Sequence, residues 1–150
     1  MSVILIDGKN RILLAKHSES NKWVLPGGSV EPNESPADAA VREMWEETGL
    51  FVKPLRVMGV YGGEEFQITY SNKDIVSYTM IAFECHLIRG KMRADCEEIL
   101  DVAYFSKSAL LELEKPPWMN FVLSDIYNQG GSITRFRPPS WKPKKLNILS

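Results

Sequence analysis

Three glutamates, Glu43, Glu46 and Glu47, fall within five positions of a stretch reading Glu-Met-Trp-Glu-Glu. Carboxylates are hard oxygen donors, and several together form the donor set that Mg²⁺ prefers, above all where an ion also bridges substrate phosphates. At about 100° per residue on a helix, Ala37, Ala40, Val41 and Met44 form one stripe, and the three glutamates lie broadly on the opposite side. Gathering them is unfavourable. Like charges at i,i+4 on an exposed helix repel by about 0.2–0.5 kcal/mol, and Glu46 and Glu47 also stand near the negative end of the helix dipole. Arg42, four residues before Glu46, offsets part of this. An acidic helix face by itself is usually solvated surface, so the metal reading depends on the residues around it.

The helix that must carry these side chains has clear punctuation. Ser35 suits the cap, Pro36 the first helical position and Asp38 the positive N-terminal end, and Gly49 supplies the stop. Before it, Trp23-Val24-Leu25 runs into Pro26-Gly27-Gly28, which ends any regular element. Ser2 to Ile6 and Arg11 to Lys16 are apolar runs flanking the turn-forming Asp7-Gly8-Lys9-Asn10, which predicts a hairpin. After the helix, Phe51 to Val60 is extended until Tyr61-Gly62-Gly63, and Ser71-Asn72-Lys73-Asp74 is the turn of a second hairpin leading into a strand-rich run, Ile75 to Ile88. A further strand, Leu100 to Phe105, follows the acidic Asp95-Cys96-Glu97-Glu98. Ser106 or Ser108 can cap a helix through Ala109 to Leu113, and Trp118 to Tyr127 has amphipathic spacing, with apolar residues at 118, 121, 122 and 126.

From Gly28 to Leu50 the order is Gly28, Glu34, Arg42-Glu43, Met44, Glu46-Glu47, Gly49, Leu50. These residues, at these spacings, resemble the signature of the Nudix hydrolases at every specified position, and the approach Trp23-Val24-Leu25-Pro26-Gly27 is similar to the family's own. The resemblance implies an α/β fold, the Nudix-type α/β/α sandwich with a mixed β-sheet, over residues 1–130. Residues 131–150 form a basic, proline-containing C-terminal tail outside it, surface-borne or packed on the domain. Asn33 stands where many members have glycine; asparagine tolerates the left-handed backbone, so the loop geometry is expected to survive. The early first strand leaves no room for the N-terminal strand or domain that many members use for dimerisation or substrate contacts.

By the same resemblance the chain is a divalent-metal-dependent pyrophosphohydrolase that cleaves a nucleoside diphosphate linked to another moiety, or a related nucleotide. Glu43, Glu46 and Glu47 would be metal ligands, with the backbone carbonyl of Gly28 an additional one, for Mg²⁺ or Mn²⁺. Arg42 would orient a glutamate through charge-assisted hydrogen bonds, and Glu34 and Gly49 would support the box. The general base has two candidates: Glu43 inside the box, and Glu98 or its neighbour Glu97 before the strand that ends in Tyr104-Phe105. Two other classes share the fold: a nucleotide sensor without turnover, expected to lack the box carboxylates kept here, and a diphosphate isomerase needing Cys85 or Cys96 at the substrate.

The whole chain sets bounds on this. It has 150 residues, 44% hydrophobic, which suits one domain with a continuous core. Eighteen Lys and Arg against nineteen Asp and Glu give a net charge of -1, so no global field draws it to nucleic acid or membrane, and an anionic nucleotide must be met locally. Two cysteines without CxxC spacing disfavour zinc and fit a reducing, cytoplasmic address, and the opening apolar run is too short for a signal core or membrane span. A homodimer is compatible with all of this. His17 and His86 are solitary and carry no expected role. Tyr61, Phe66, Tyr70, Trp118 and Trp141 are expected mainly in the core, with Phe66 and Tyr70 nearest to where family members build substrate loops.

Overall fold

Two of the most apolar runs in the chain, at its start, are buried on both faces, and this decides the architecture. In the computed structural model, which describes residues 1–128 and 134–136, β1 (Ser2–Leu5) and β2 (Ile12–His17) do not form the expected hairpin. Asp7 does turn the chain, its Oδ1 accepting from the backbone N–H of Lys9 and Arg11, but only Ile6 and Ile12 are bridged before the strands part. β1 then pairs in parallel with β7 (Met80–Gly90), and β2 lies between β3 (Trp23–Val24) and β8 (Ile99–Phe105). The reason is in the pattern: Val3, Ile4, Leu5 and Ile12 to Ala15 are all buried, and a hairpin with one wet face cannot cover such continuous runs.

A mixed sheet of order β1-β7-β4-β9 results, with β4 (Leu50–Tyr61) antiparallel to β7 and β9 (Arg135–Phe136) parallel to β4. The second sheet has the order β3-β2-β8. Alternate residues of β1 and β2 supply two cores. Val3, Leu5, Leu13 and Ala15 join Ala40 and Met44 of helix α1 (Pro36–Thr48), whereas Ile4, Ile12 and Leu14 join Met119, Val122 and Leu123 of helix α2 (Trp118–Tyr127). Helices therefore cover both sides, the expected α/β/α arrangement. Each fully buried Leu, Ile or Met contributes about 1.5–3 kcal/mol.

Two helical faces are rotated from expectation. In α2, Met119 and Leu123 point inward with Val122, while Phe121 is 38% exposed. In α1 the buried stripe is Ala39, Ala40, Met44, Glu47 and Thr48, with Val41 only half-buried. The helix expected over 109–113 is a single 3₁₀ turn, Ala109–Leu111, with Ser106 Oγ rather than Ser108 accepting from the Ala109 N–H. The second hairpin is present as β5 (Gln67–Thr69) and β6 (Ile75–Ser77), a separate two-stranded unit. Of the expected tail only Thr134 to Phe136 are described, Thr134 Oγ1 donating to the Val57 carbonyl. The rest of the tail, with Trp141, lies outside the described residues.

Candidate active site

The loop into α1 is shaped by local chemistry. Asn33 takes φ 66°, the left-handed conformation its side chain tolerates, and the Glu34 N–H turns back to the Glu31 carbonyl. Ser35 caps the helix, its Oγ accepting from the Asp38 N–H at 3.1 Å, with Pro36 in the first turn. At the other end Gly49, at φ 70°, donates its N–H to the Trp45 carbonyl; a side chain there would also strike the Lys91 carbonyl.

Arg42 ties the loop to the helix. Its Nε donates to Glu34 Oε1 at 2.8 Å and its Nη2 to Glu34 Oε2 at 3.0 Å, a two-pronged contact, while Nη2 also reaches the Ser29 carbonyl. Nη1 donates to Glu43 Oε1 at 2.9 Å and Glu46 Oε2 at 3.1 Å. One guanidinium thus gathers three carboxylates. The Arg42 contact and the Glu31 N–H hold Glu34 down at about 2.

Glu47 differs from its expected place. Seven residues after Ala40, nearly two full turns, it returns to the packed side of α1 and is only 4% exposed. Its Oε2 accepts from the Gly27 N–H at 3.0 Å, and its Oε1 lies 4.0 Å from His17 Nε2. Burial, opposed by the Gly27 N–H and reinforced by the charges of Glu43, Glu98 and Asp95, pushes its carboxyl up to about 8. Glu43, half-buried, is also raised, by burial first and then by Glu46 and Glu98 against the pull of Arg42.

Glu98 is brought close from far along the chain. Asp95 Oδ1 accepts the N–H groups of Glu97, Glu98 and Ile99, forming a tight turn, and the Glu98 carbonyl accepts from the Ser18 N–H at 2.8 Å, pinning that turn beside His17. Glu97 is exposed on the same turn. Gly28 completes the cluster: a Cβ there would run into the Glu43 carboxylate, which would have to shift from its present place. Its carbonyl accepts from the Met1 amino group at 2.7 Å.

The donor set suits a hard divalent ion, being all oxygen: Arg42 pairs with Glu43 and Glu46 and the Met1 amino group stands near Glu43, while Glu47 has the Gly27 N–H and His17 beside it. As the side chains lie, no three Asp, Glu, His or Cys groups among the described residues stand in ligating geometry. Arg42 engages Glu43 and Glu46, and Gly27 engages Glu47. Nothing in the sequence around His17 and Asp95 marks them for a role; the pairing of β2 with β8 brings them together, and His17 then stands beside Glu47 of α1. Phe66 is fully buried in the core, and Tyr70 is exposed on the β5–β6 turn. No helix among the described residues is long and apolar enough to cross a membrane.

Beside Gly27 and Gly28 opens a cleft of about 480 Å³ that extends to Ile68, Tyr78 and Trp118.

Known proteins resemble this chain in sequence and in fold. The family model for the NUDIX domain matches residues 1–125. A Bacillus subtilis (strain 168) protein, provisionally named an 8-oxo-dGTP diphosphatase, is 45% identical over 65 residues, 43% of this chain and 44% of that protein. The human diphosphoinositol polyphosphate phosphohydrolase 3-alpha is 43% identical over 54 residues, 35% of this chain and 33% of that protein. The chain thus spans less than half the length of these relatives. The crystal structure of the MutT protein from Methanosarcina mazei Go1 superimposes with a TM-score of 0.65 at 26% identity, covering 81% of this chain and 86% of that one.

Proposed function

The chain belongs to the Nudix family, and from that premise we propose that it is a divalent-metal-dependent pyrophosphohydrolase acting on a nucleoside diphosphate linked to another moiety, or on a related nucleotide. The observation that carries the reading is the approach of Glu43 to Gly28 and of Glu47 to Gly27, two glycines that line the cleft, with Glu46 joined to Glu43 through Arg42. Glu43, Glu46 and Glu47, with the Gly28 carbonyl, are the groups that would hold Mg²⁺ or Mn²⁺. Bound there, such an ion neutralises diphosphate charge and acidifies water.

The chain's own residues have separate tasks. Arg42 locks the loop to α1 through Glu34 and gathers the Glu43 and Glu46 carboxylates side by side, where a bound ion would share them with the guanidinium. Glu47 is anchored by the N–H of Gly27, a residue that lines the cleft. Glu43 takes the proton of the water that attacks phosphorus; burial first, with Glu46 and Glu98 adding to it against the pull of Arg42, raises its proton affinity in the metal-free protein. Glu98 is the second candidate for that proton. Removing the base costs about 10² to 10⁴ in rate, and because Glu43→Gln also removes a proposed metal ligand, Glu98→Gln decides between them: a loss of that size assigns the proton to Glu98, and an unchanged rate leaves it to Glu43.

The isomerase reading is disfavoured by the thiols. Cys85 is buried in the α1-side core, and burial, with Glu84 adding to it, pushes its thiol up to about 12. Cys96 is exposed on the Asp95 turn, and neither thiol is among the described residues that line the cleft. The test is product release from dinucleotides, nucleotide sugars, ADP-ribose and nucleoside triphosphates, with Mg²⁺ and then with EDTA. Metal-dependent turnover of one class is expected. Tight binding of one compound without turnover would make the chain a sensor instead.

A further inference from the structure

Strand β7 runs further than its neighbour on one side. β1 accompanies it only over residues 82–85, after which the chain turns at Asp7 toward β2. The last part of β7, residues 86–90, keeps β4 on one flank through pairs such as Val52 with Leu87 and Phe51 with Arg89. On its other flank no strand lies among the described residues, and all five residues are exposed. Five residues span about 17 Å, an ordinary strand length. An edge of that length offers N–H and C=O groups to a further strand.

The side chains along this edge are basic and apolar by turns. Arg89, Lys91 and Arg93 follow one another with no Asp or Glu between Glu84 and Asp95, and Lys53 stands across from His86 on β4. Lys53, Arg89, Lys91 and Arg93 are all exposed, and none forms an ion pair with a carboxylate among the described residues. Between them Leu87, Ile88 and Met92 are 39%, 50% and 42% exposed. The Arg89 guanidinium lies 5.2 Å from the centre of the Phe51 ring, a contact that fixes its position without neutralising it. In a chain of net charge -1, this surface is locally of one sign.

We propose that the β7 edge at residues 86–90 is a docking surface for an extended acidic segment of a partner protein, which adds to the sheet as a strand and sets carboxylates against Arg89, Lys91 and Arg93. In strand addition the main-chain hydrogen bonds supply affinity, and the side chains on either face choose the sequence. Here the unpaired cations choose acidic residues, and Leu87 and Ile88 favour aliphatic ones between them. A second copy of this chain is a poor occupant, because pairing the edge with itself brings two basic strands together, and like charges opposite one another destabilise a sheet. A nucleic acid or an anionic membrane would answer the charge but leave the strand edge unpaired. The surface is separate from the proposed active site: none of these residues lines the cleft.

The test titrates the full chain into a short fluorescein-labelled peptide of alternating glutamate and valine and follows anisotropy. Two comparison peptides carry lysine in place of glutamate, or the acidic sequence N-methylated throughout, which keeps the charge and removes every main-chain donor. The acidic peptide should bind about tenfold or more tightly than the lysine peptide, and N-methylation should cost about tenfold. Arg89→Glu, checked by circular dichroism, should weaken the acidic peptide by about tenfold, and Lys91→Glu, which lies beyond the strand, should weaken it in the same direction. Equal binding of the N-methylated peptide would overturn the inference, since charge alone would then explain the contact. Tighter binding of a labelled oligouridylate or of anionic phospholipid vesicles than of the acidic peptide would overturn it too, as would an affinity that both variants leave intact.

Discussion

Arg42 and Glu34 meet through two parallel hydrogen bonds, Nε to Oε1 at 2.8 Å and Nη2 to Oε2 at 3.0 Å, which join the loop before α1 to the middle of that helix. Because the same guanidinium sets Glu43 and Glu46, a fault in this contact is transmitted to the proposed metal ligands.

Arg42→Lys keeps the charge but loses the fork, since an ammonium cannot bridge both Glu34 oxygens and two further carboxylates in one plane. Turnover should fall by about tenfold to a hundredfold while the circular dichroism spectrum stays unchanged. A rate within twofold of the parent would show that the loop is held by other contacts.

Acid should reveal the same pair. Glu34 is held at about 2 against an ordinary 4.5, so its contact stabilises the fold fully above its unfolded value and is lost as pH falls from 4.5 through 2. Urea midpoints between pH 2 and 6 should decline less steeply for Glu34→Gln than for the parent. Identical slopes would remove Glu34 from the acid response.

Glu47 gives the opposite sign. Its carboxyl is raised to about 8, so in metal-free protein the folded state keeps a proton that the unfolded state has lost, and stability falls as pH rises from 4.5 toward 8. In EDTA, Glu47→Gln should therefore melt higher than the parent at pH 8 and close to it at pH 4, although its turnover with Mg²⁺ is reduced. A parent melting temperature independent of pH between 5 and 8 would contradict this.

Gly28→Ala places a methyl group against the Glu43 carboxylate. The fold should persist, because the position lies in an irregular loop, but displacing the carboxylate by about 1 Å should cost on the order of a hundredfold in kcat. An unaltered kcat would mean that Glu43 moves freely.

Much of the site was legible in the sequence because its signals are local. Ser35, Pro36 and Gly49 mark the bounds of α1 through caps that depend only on neighbouring residues, and Asn33 adopts the left-handed backbone expected of it. What was not legible depends on partners far along the chain. The apolar runs of β1 and β2 suggest a hairpin until β7 and β8 offer each strand a second neighbour. Glu47 belongs to the polar side by residue type and to the packed side by its angle, and the Gly27 N–H is what makes its burial tolerable. His17 and Asp95 near Glu47 come together through the β2–β8 pairing and the Asp95 turn, which no spacing rule reports.

The most direct test of the central claim is one paired measurement of product formation, parent against Glu46→Gln/Glu47→Gln, on whichever nucleotide the panel identifies, with Mg²⁺ and with EDTA. The parent should turn over only with the metal, and the double variant should be slower by about 10² or more under the same conditions. Equal rates for the two proteins, or a parent rate that survives EDTA, would contradict catalysis by a divalent ion held on these carboxylates.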